Sequence, residues 1–207
     1  MSTVDLVQQA VMRDLVRGAL SPGSWVRQDE LAERLGVSKI PVREALQRLT
    51  ALGLLRIEPN RGVVVPTLSA DEAEENYSLR RAIEPVLLKR AMRAISIVDL
   101  AEAELALATG SVPTMSSTEQ NWAFHRALYR ASGWDRGLAM AEILHASVAP
   151  YVELYTDGLG GNDASQAEHR ALLDAAREGN VRAANGLLLR HLDNAAAALL
   201  DYLDTDE

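Results

Sequence analysis

A tight turn at Gly36 constrains the fold of this chain more than any other local feature. One short helical segment begins near Gln28 and ends at this turn, and a second begins directly after Ser38. The small residue Ala32 lies where the two helices must cross closely, and Val42 supplies an apolar contact from the second helix. Two short helices joined by a glycine-containing turn predict a helix-turn-helix.

The segments on either side of this motif complete a small domain. Apolar residues recur at helical spacing over about residues 3–17, which predicts a first helix. Residues 54–58 and 63–65 have the composition of two strands joined by a short turn. We therefore predict a winged helix-turn-helix domain, with three helices and a β-hairpin, over residues 1–66 (the head).

Only helices are predicted beyond the head. Ser69, Ser96 and Ser116 are each followed three residues later by an acidic residue, which is the pattern of a capping box at the start of a helix. Six helices are predicted, at about 70–94, 97–109, 116–132, 134–155, 164–178 and 181–203, with a glycine-rich break at Gly158–Gly161. The fold class is therefore mainly α, a winged helix-turn-helix followed by an all-α six-helix bundle over residues 67–207 (the helical domain).

Charge is distributed unevenly between these two domains. The chain has a net charge of −8, but the head carries nine Lys and Arg against seven Asp and Glu, whereas the helical domain carries twelve against twenty-two. A basic head can bind nucleic acid even when the rest of the chain is acidic. Cysteine is absent, no apolar run reaches the ~18–20 residues of a membrane span, and no secretory signal pattern is present. We therefore expect a cytoplasmic protein.

The second helix of the motif has one apolar face and one polar face. The apolar face carries Val42, Ala45, Leu46 and Leu49. The opposite face offers Lys39, Arg43 and Gln47 near the N-terminal end, which is the end that enters the major groove in helix-turn-helix proteins. Arg43 suits guanine, Gln47 suits adenine, and Lys39 suits a phosphate or guanine.

The hairpin adds a further cation. Arg61 lies beside Gly62 at the tip, where it can enter a minor groove or contact a phosphate. The predicted DNA-contacting residues are Ser38, Lys39, Arg43, Gln47, Arg61 and Gly62. The alternative is a polar helix face that is merely solvated, but the turn, the cap and the hairpin all agree with the DNA-binding interpretation.

Three of the four histidines form a pattern in the helical domain. Asn121 and His125 are four residues apart, so they share a helix face. His169 lies near the start of the fifth predicted helix of this domain and His191 in the middle of the sixth, and a helix hairpin can bring such residues together. Three imidazoles and an amide oxygen suit zinc or another divalent transition metal. Spacing alone leaves open that these are exposed or hydrogen-bonded histidines without a metal.

The helical domain contains other ionisable residues whose positions predict roles near the histidines or away from them. His145 lies outside the pattern, and we expect it at the edge of a pocket or on the surface. Glu168 directly precedes His169 and is expected to point away from the histidines. Arg80 or Arg81 could bind a ligand carboxylate, and an ion pair between Arg80 and Glu84 is the alternative.

The head is similar to a known family at a dense set of positions. The matching residues are Leu20-x-Pro22-Gly23, Leu31-Ala32-x-x-Leu35-Gly36-Val37-Ser38-x-x-Pro41-Val42-Arg43-Glu44-Ala45-Leu46-x-x-Leu49, Gly53-Leu54 and Arg61-Gly62-x-x-Val65. Over about residues 4–66 the chain resembles the GntR family of bacterial transcription regulators. The resemblance implies a homodimer that binds a short inverted repeat in double-stranded DNA. Lys39 stands where many relatives carry Arg, which keeps the charge but weakens bidentate contact with guanine.

The helical domain carries a second resemblance. The matching residues are Arg80-x-x-Ile83-Glu84, Phe124-His125, Glu168-His169 and His191. Over about residues 70–203 they resemble the FCD effector domain of the FadR subfamily, in the shorter, VanR-like branch with six helices. In that domain an acidic residue and three histidines hold a metal at the base of a ligand pocket. The resemblance implies Asn121, His125, His169 and His191 as the metal ligands here.

These resemblances together imply a regulator, expected to be a repressor, that senses a small carboxylate bound over a metal. Zinc is the first expectation for the metal, with nickel or manganese as alternatives. Asn121 replaces the commoner Asp, so four neutral ligands would bind the metal more weakly and attract an anionic effector. Two other functions are open: a metal-dependent hydrolase or lyase that uses the three histidines, and a metal-free regulator that binds its ligand through Arg.

Overall fold

The head has the predicted three helices and a small sheet. The computed structural model describes residues 2–108, 115–159 and 162–205. The elements of the head are α1 (Thr3–Val16), β1 (Trp25–Val26), α2 (Gln28–Leu35), α3 (Lys39–Ala51), β2 (Arg56–Glu58) and β3 (Gly62–Val64). Gly36 closes α2 in the left-handed conformation, with φ 65°, and so provides the predicted sharp turn into α3.

The sheet contains one strand that the sequence did not predict. Its order is β1-β3-β2, with antiparallel neighbours, so β3 is central and β1 is an edge strand. Strand β1 pairs Trp25 with Val64 and Val26 with Val63. Two residues are too few to show the alternation by which a strand is recognised in sequence, and β1 forms because the hairpin offers it an edge.

The apolar face predicted for α3 is the core of the head. Its four apolar residues are at most 1% exposed, namely Val42, Ala45, Leu46 and Leu49. They share a core with Val7, Val11 and Leu15 of α1, all of which are buried. The polar face of α3 is left outside this core, as the predicted wheel requires.

The helical domain has the predicted helices, with small differences at their ends. Its elements are α4 (Ala70–Ala91), α5 (Ile97–Leu107), α6 (Ser117–Tyr129), a 3-10 turn (Arg130–Ser132), α7 (Asp135–Leu159), α8 (Asn162–Arg177) and α9 (Val181–Thr205). The capping boxes at Ser69, Ser96 and Ser116 are confirmed. Thr109 of the second predicted helix, and Gly160 and Gly161 of the predicted break, lie outside the described residues.

The packing of these helices brings the histidine-bearing segments together. Helix α4 packs on α9 and α7, and α9 also packs on α8. Helix α6 packs on α5, α7 and α4. The interior between them holds large buried side chains such as Tyr77, Phe124 and Tyr129. None of the helices described is long and apolar enough to cross a membrane.

The end of α1 forms hydrogen bonds with the helical domain. The Arg17 Nε donates to Glu119 Oε1 at 2.6 Å, and the Thr118 hydroxyl donates to the Val16 carbonyl oxygen. Both partners in the helical domain lie in the first turn of α6. Helix α6, which carries Asn121 and His125, is therefore tied directly to the first helix of the head.

The left-handed turn at Gly36 gives a stability test with a built-in control. A Cβ at Gly36 would meet no atom within 4 Å, so Gly36→Ala should destabilise only through its positive φ, by about 1–2 kcal/mol. A Cβ at Gly186, inside α9, also meets no atom within 4 Å. Since that position is helical, Gly186→Ala should stabilise the protein by about 0.5–1 kcal/mol. Urea unfolding measures the stability of both variants. A loss in both, or a gain in both, would contradict the backbone conformations assigned to these two glycines.

Candidate metal centre and DNA-binding surface

Three buried histidines converge in the helical domain. Ring nitrogens of His125, His169 and His191 (the histidine cluster) lie within 4.8 Å of one another. The Nε2 atoms of His169 and His191 are 3.2 Å apart. Two nitrogens bound tetrahedrally to zinc lie roughly 3.3 Å apart, given their bond lengths to the metal. The spacing of His169 and His191 therefore suits a metal of this kind.

Hydrogen bonds orient two of these rings. The His191 Nδ1 lies 2.8 Å from Glu168 Oε2, and the His125 Nδ1 lies 3.1 Å from the Tyr129 hydroxyl oxygen. A proton on each Nδ1 leaves a free lone pair on each Nε2. The His125 Nε2 is buried and has no hydrogen-bond partner among the described residues. A buried nitrogen without a partner is costly, and a metal would satisfy it.

Burial keeps the imidazoles of His125 and His169 neutral. Burial lowers the pKa of His125 well below its ordinary value of 6.5, and the neighbouring His169 lowers it further. Burial also lowers the pKa of His169 well below 6.5, and the neighbouring His191 is the second largest cause. The neutral imidazole is the form that binds a metal, so both rings are ready to act as ligands at neutral pH.

A cavity of about 430 Å³ opens beside the histidine cluster. Its wall includes His169, His191 and the half-buried Asn121, so the predicted fourth ligand lines the same cavity as two of the three histidines. Arg80 also lines the cavity, and so does Val16 of the head. A larger cavity, of about 730 Å³, lies between α1, α5, α6 and α7, and the described residues that line it include no histidine.

The environment of Arg80 shows the ion pair that the sequence offered as an alternative. Its Nε lies 2.6 Å from Glu84 Oε1, with exposures of 3% and 0% for the two side chains. Its Nη2 lies 2.8 Å from the Nε2 of His145. Arg81 instead pairs with Asp193 at 2.7 Å and is not among the described residues that line the cavity.

Of the two positions expected for His145, the pocket is confirmed and the surface is not. The ring lines the cavity, but it is only 5% exposed and lies in the interior rather than on the surface. Burial, followed by the charge of Arg80, lowers the pKa of His145 to about 4. Glu84, His125 and His145 form a second group whose ligand atoms lie within 4.8 Å of one another. The guanidinium of Arg80 already neutralises that group, which disfavours a metal there.

The expected orientation of Glu168 is wrong. Its carboxylate reaches across from α8 to α9 and accepts hydrogen bonds from His191 and Asn194. The hydrogen bond with His191 lowers the pKa of Glu168 below its ordinary value. A carboxylate that orients a metal-binding imidazole is a common second partner in metal sites.

The predicted DNA-contacting residues of α3 are all exposed. Arg43 and Gln47 form no ion pair or hydrogen bond within the described residues. Lys39 pairs with Asp29 at 2.9 Å, and both side chains are exposed to solvent. Ser38 occupies the N-cap position, as predicted, but its hydroxyl forms no capping hydrogen bond. Of the two predicted cations on this face, Arg43 is thus the one without an ion pair in the described structure.

The predicted hairpin residues Arg61 and Gly62 lie near Trp25 and Arg27, which the sequence did not indicate as site residues. The Arg61 guanidinium lies 5.5 Å from the centre of the Trp25 ring, and Gly62 adopts φ 121°. Trp25 is 37% exposed, and Arg27 follows it as an exposed cation without an ion pair in the described part of the chain. Their exposure depends on the edge strand β1, which had no recognisable signal in the sequence.

Comparisons with known proteins match both domains. Residues 75–194 match the FCD domain family, and residues 3–65 match the family described as bacterial regulatory proteins, gntR family. The chain belongs to the GntR family. The FCD match is consistent with the FadR subfamily and its VanR-like branch.

The relatives of this GntR-family chain are regulators. It is 30% identical over 168 residues to the HTH-type transcriptional regulator McbR of Escherichia coli (strain K12), a match that covers 79% of this chain and 75% of McbR. It is 28% identical over 191 residues to a probable D-xylose utilization operon transcriptional repressor of Paenarthrobacter nicotinovorans, covering 90% and 84% of the two chains. The chain is therefore a DNA-binding transcription regulator and not an enzyme, and the hydrolase or lyase alternative is wrong.

Solved structures of GntR-family proteins share its fold. The structure of E. coli McbR/YncC superposes with a TM-score of 0.87 at 24% identity, covering 98% of this chain and 99% of that one. A putative GntR regulator from Rhodococcus sp. RHA1 gives a TM-score of 0.80 at 25% identity, covering 97% and 99%. The arrangement of head and helical domain described above is thus shared over the full described length.

The lowered pKa values of His125, His145 and His169 predict an acid-sensitive protein. In the unfolded chain these groups regain a pKa near 6.5, so that state binds protons first as the pH falls. The metal-free protein should lose about 1 kcal/mol of stability per histidine for each pH unit below 6.5. For His145 the loss should end near its folded pKa of about 4. Urea unfolding at pH 7.5 and 5.5 tests this, and equal stabilities would contradict it.

Proposed function

We propose that this GntR-family regulator is a homodimeric repressor whose operator binding responds to a small carboxylate bound over a metal. The observation that carries the proposal is the convergence of three buried imidazoles, with the His125 Nε2 unpartnered. A relative named as a transcriptional repressor supports the direction of regulation. A protein that acts on chromosomal DNA would work in the cytoplasm.

The proposed metal ligands are His125, His169 and His191, with Asn121 as the fourth. Three imidazoles and an amide oxygen match the preferences of zinc, and nickel or manganese remain alternatives. All four ligands are neutral, so the protein ligands would leave the double positive charge of the metal uncompensated. The metal would supply an electrophilic site that binds an anion.

The proposed effector is a small organic acid in the cavity beside the histidine cluster. One carboxylate would bind the metal, and the cationic Arg80 in the wall would add attraction for a second anionic group. Because Glu84 and His145 already engage Arg80, we assign the main contact to the metal and a secondary one to Arg80. Arg81 is not retained, since it pairs with Asp193 outside the lining.

The proposed DNA surface combines α3 with the hairpin. Arg43 and Gln47 would contact base edges in the major groove, with Lys39 and Ser38 near the same backbone. Arg61 and Gly62 of the hairpin would contact a phosphate or the minor groove. Two such heads in a homodimer would bind the two halves of a short inverted repeat.

The junction between α1 and α6 supplies a route from effector to DNA. Val16 lines the effector cavity, and it accepts the hydrogen bond of Thr118 from the first turn of α6. Arg17 and Glu119 form an ion pair beside it. An effector would release DNA only if it binds better to the arrangement of heads that fits the operator poorly.

Paired substitutions on α3 test the DNA surface. Arg43→Ala should weaken operator binding by about 1–3 kcal/mol and relax the base preference at one position. Arg48→Ala is the matched control, because Arg48 is equally part of α3 but pairs with Asp5 and Glu44. Fluorescence anisotropy with an operator selected in vitro by the wild-type protein measures both. Equal losses would overturn the proposed role of Arg43.

Paired histidine substitutions test the metal centre and its role. His169→Gln should lose the metal detected by elemental analysis and native mass spectrometry after mild purification. His145→Gln should retain it, because His145 belongs to the group that Arg80 neutralises. A panel of small carboxylates should change operator affinity in the wild type and not in His169→Gln. A carboxylate response that survives in His169→Gln would favour the metal-free regulator instead.

A further inference from the structure

We propose that Tyr129, held by Glu84, is a positioning residue that fixes the tautomer of His125 and so keeps its Nε2 available to the metal. This inference rests on the proposed metal centre and extends it to two residues that touch neither metal nor effector. Its basis is a buried chain of hydrogen bonds that starts at Arg80 and ends at the imidazole.

This series of hydrogen bonds connects four side chains from two helices. Arg80 and Glu84 are four residues apart on α4, and His125 and Tyr129 are four residues apart on α6. The Arg80 Nε donates to Glu84 Oε1 at 2.6 Å, and the Tyr129 hydroxyl donates to Glu84 Oε2 at 2.7 Å. The Tyr129 oxygen lies 3.1 Å from His125 Nδ1.

The direction of every bond in this chain follows from its first member. Arg80 can only donate, and its charge keeps Glu84 ionised, so both oxygens of Glu84 can only accept. The single proton of the Tyr129 hydroxyl must then point to Glu84. Its oxygen is left as an acceptor toward His125, and this requires the proton of the neutral ring to be on Nδ1.

Burial makes this constraint effective. Glu84, His125 and Tyr129 are 0% exposed and Arg80 is 3% exposed, so water does not compete for these bonds. The Nδ1 proton leaves the Nε2 lone pair of His125 free, and this nitrogen has no other partner in the described structure. The carboxylate charge of Glu84 therefore acts on His125 through a tyrosine, in the way that Glu168 acts directly on His191.

Removal of one oxygen atom tests the inference. Tyr129→Phe keeps the ring in the core but removes the acceptor for His125 Nδ1–H. Tyr151→Phe is the matched control, since the hydroxyl of the buried Tyr151 binds the Leu68 backbone N–H and does not line the cavity of the histidine cluster. Zn²⁺ affinity, measured by competition with a chelating indicator, should fall about 10–100-fold in Tyr129→Phe and stay near the wild-type value in Tyr151→Phe.

A second measurement separates positioning from general destabilisation. Long-range ¹H–¹⁵N correlation spectra of the metal-free protein report the tautomer of each of the four histidines. His125 should be protonated on Nδ1 in the wild type and in Tyr151→Phe, and should lose this preference in Tyr129→Phe. An unchanged His125 tautomer in Tyr129→Phe, or equal losses of Zn²⁺ affinity in both variants, would overturn the inference.

The failure of the metal proposal has a different signature. A wild-type protein that does not bind Zn²⁺, nickel or manganese would contradict the proposed metal centre. The tautomer assignment would still be tested in that case, because the spectra require no metal. A Tyr129-dependent Nδ1 proton on His125 would support the positioning role, and its absence would overturn it.

Discussion

The interior of the helical domain depends on a buried ion pair between Arg80 and Glu84, whose charged atoms are 2.6 Å apart. Burying two charges is costly unless further hydrogen bonds satisfy them. Here Tyr129 provides such a bond to Glu84 and His145 provides one to Arg80, so neighbouring side chains satisfy both members of the buried pair. Burial alone would raise the pKa of Glu84, but Arg80 and then His145 outweigh it and hold that pKa well below its ordinary value.

Local sequence signals accounted for most of the fold. The capping boxes at Ser69, Ser96 and Ser116 and the apolar face of α3 depend on residues within one or two turns, and the structure confirmed them. Strand β1 could not be predicted, because it exists only by pairing with β3. The same reason accounts for the error at Glu168, whose orientation depends on a neighbouring helix rather than on its own.

Some predicted site residues already have a partner within the protein and others do not, and the sequence could not distinguish the two groups. Arg43 and Gln47 have no internal partner in the described residues, whereas Lys39 pairs with Asp29 and Arg81 pairs with Asp193. The spacing of His125, His169 and His191 predicted a common site, but only packing shows which nitrogens face one another. Tyr129 carried no signal of its own, since a tyrosine four residues after a histidine is also an ordinary core residue.

The boundary between the head and the helical domain does not separate their surfaces completely. Val16 is the last residue of α1 in the head, yet it lines the cavity of the helical domain. A chimera that exchanged heads between two regulators of this fold would therefore also exchange part of the wall of the proposed effector cavity. If the cavity binds the proposed effector, its ligand preference and the operator preference can be exchanged independently only when residue 16 and its partner Thr118 come from the same parent.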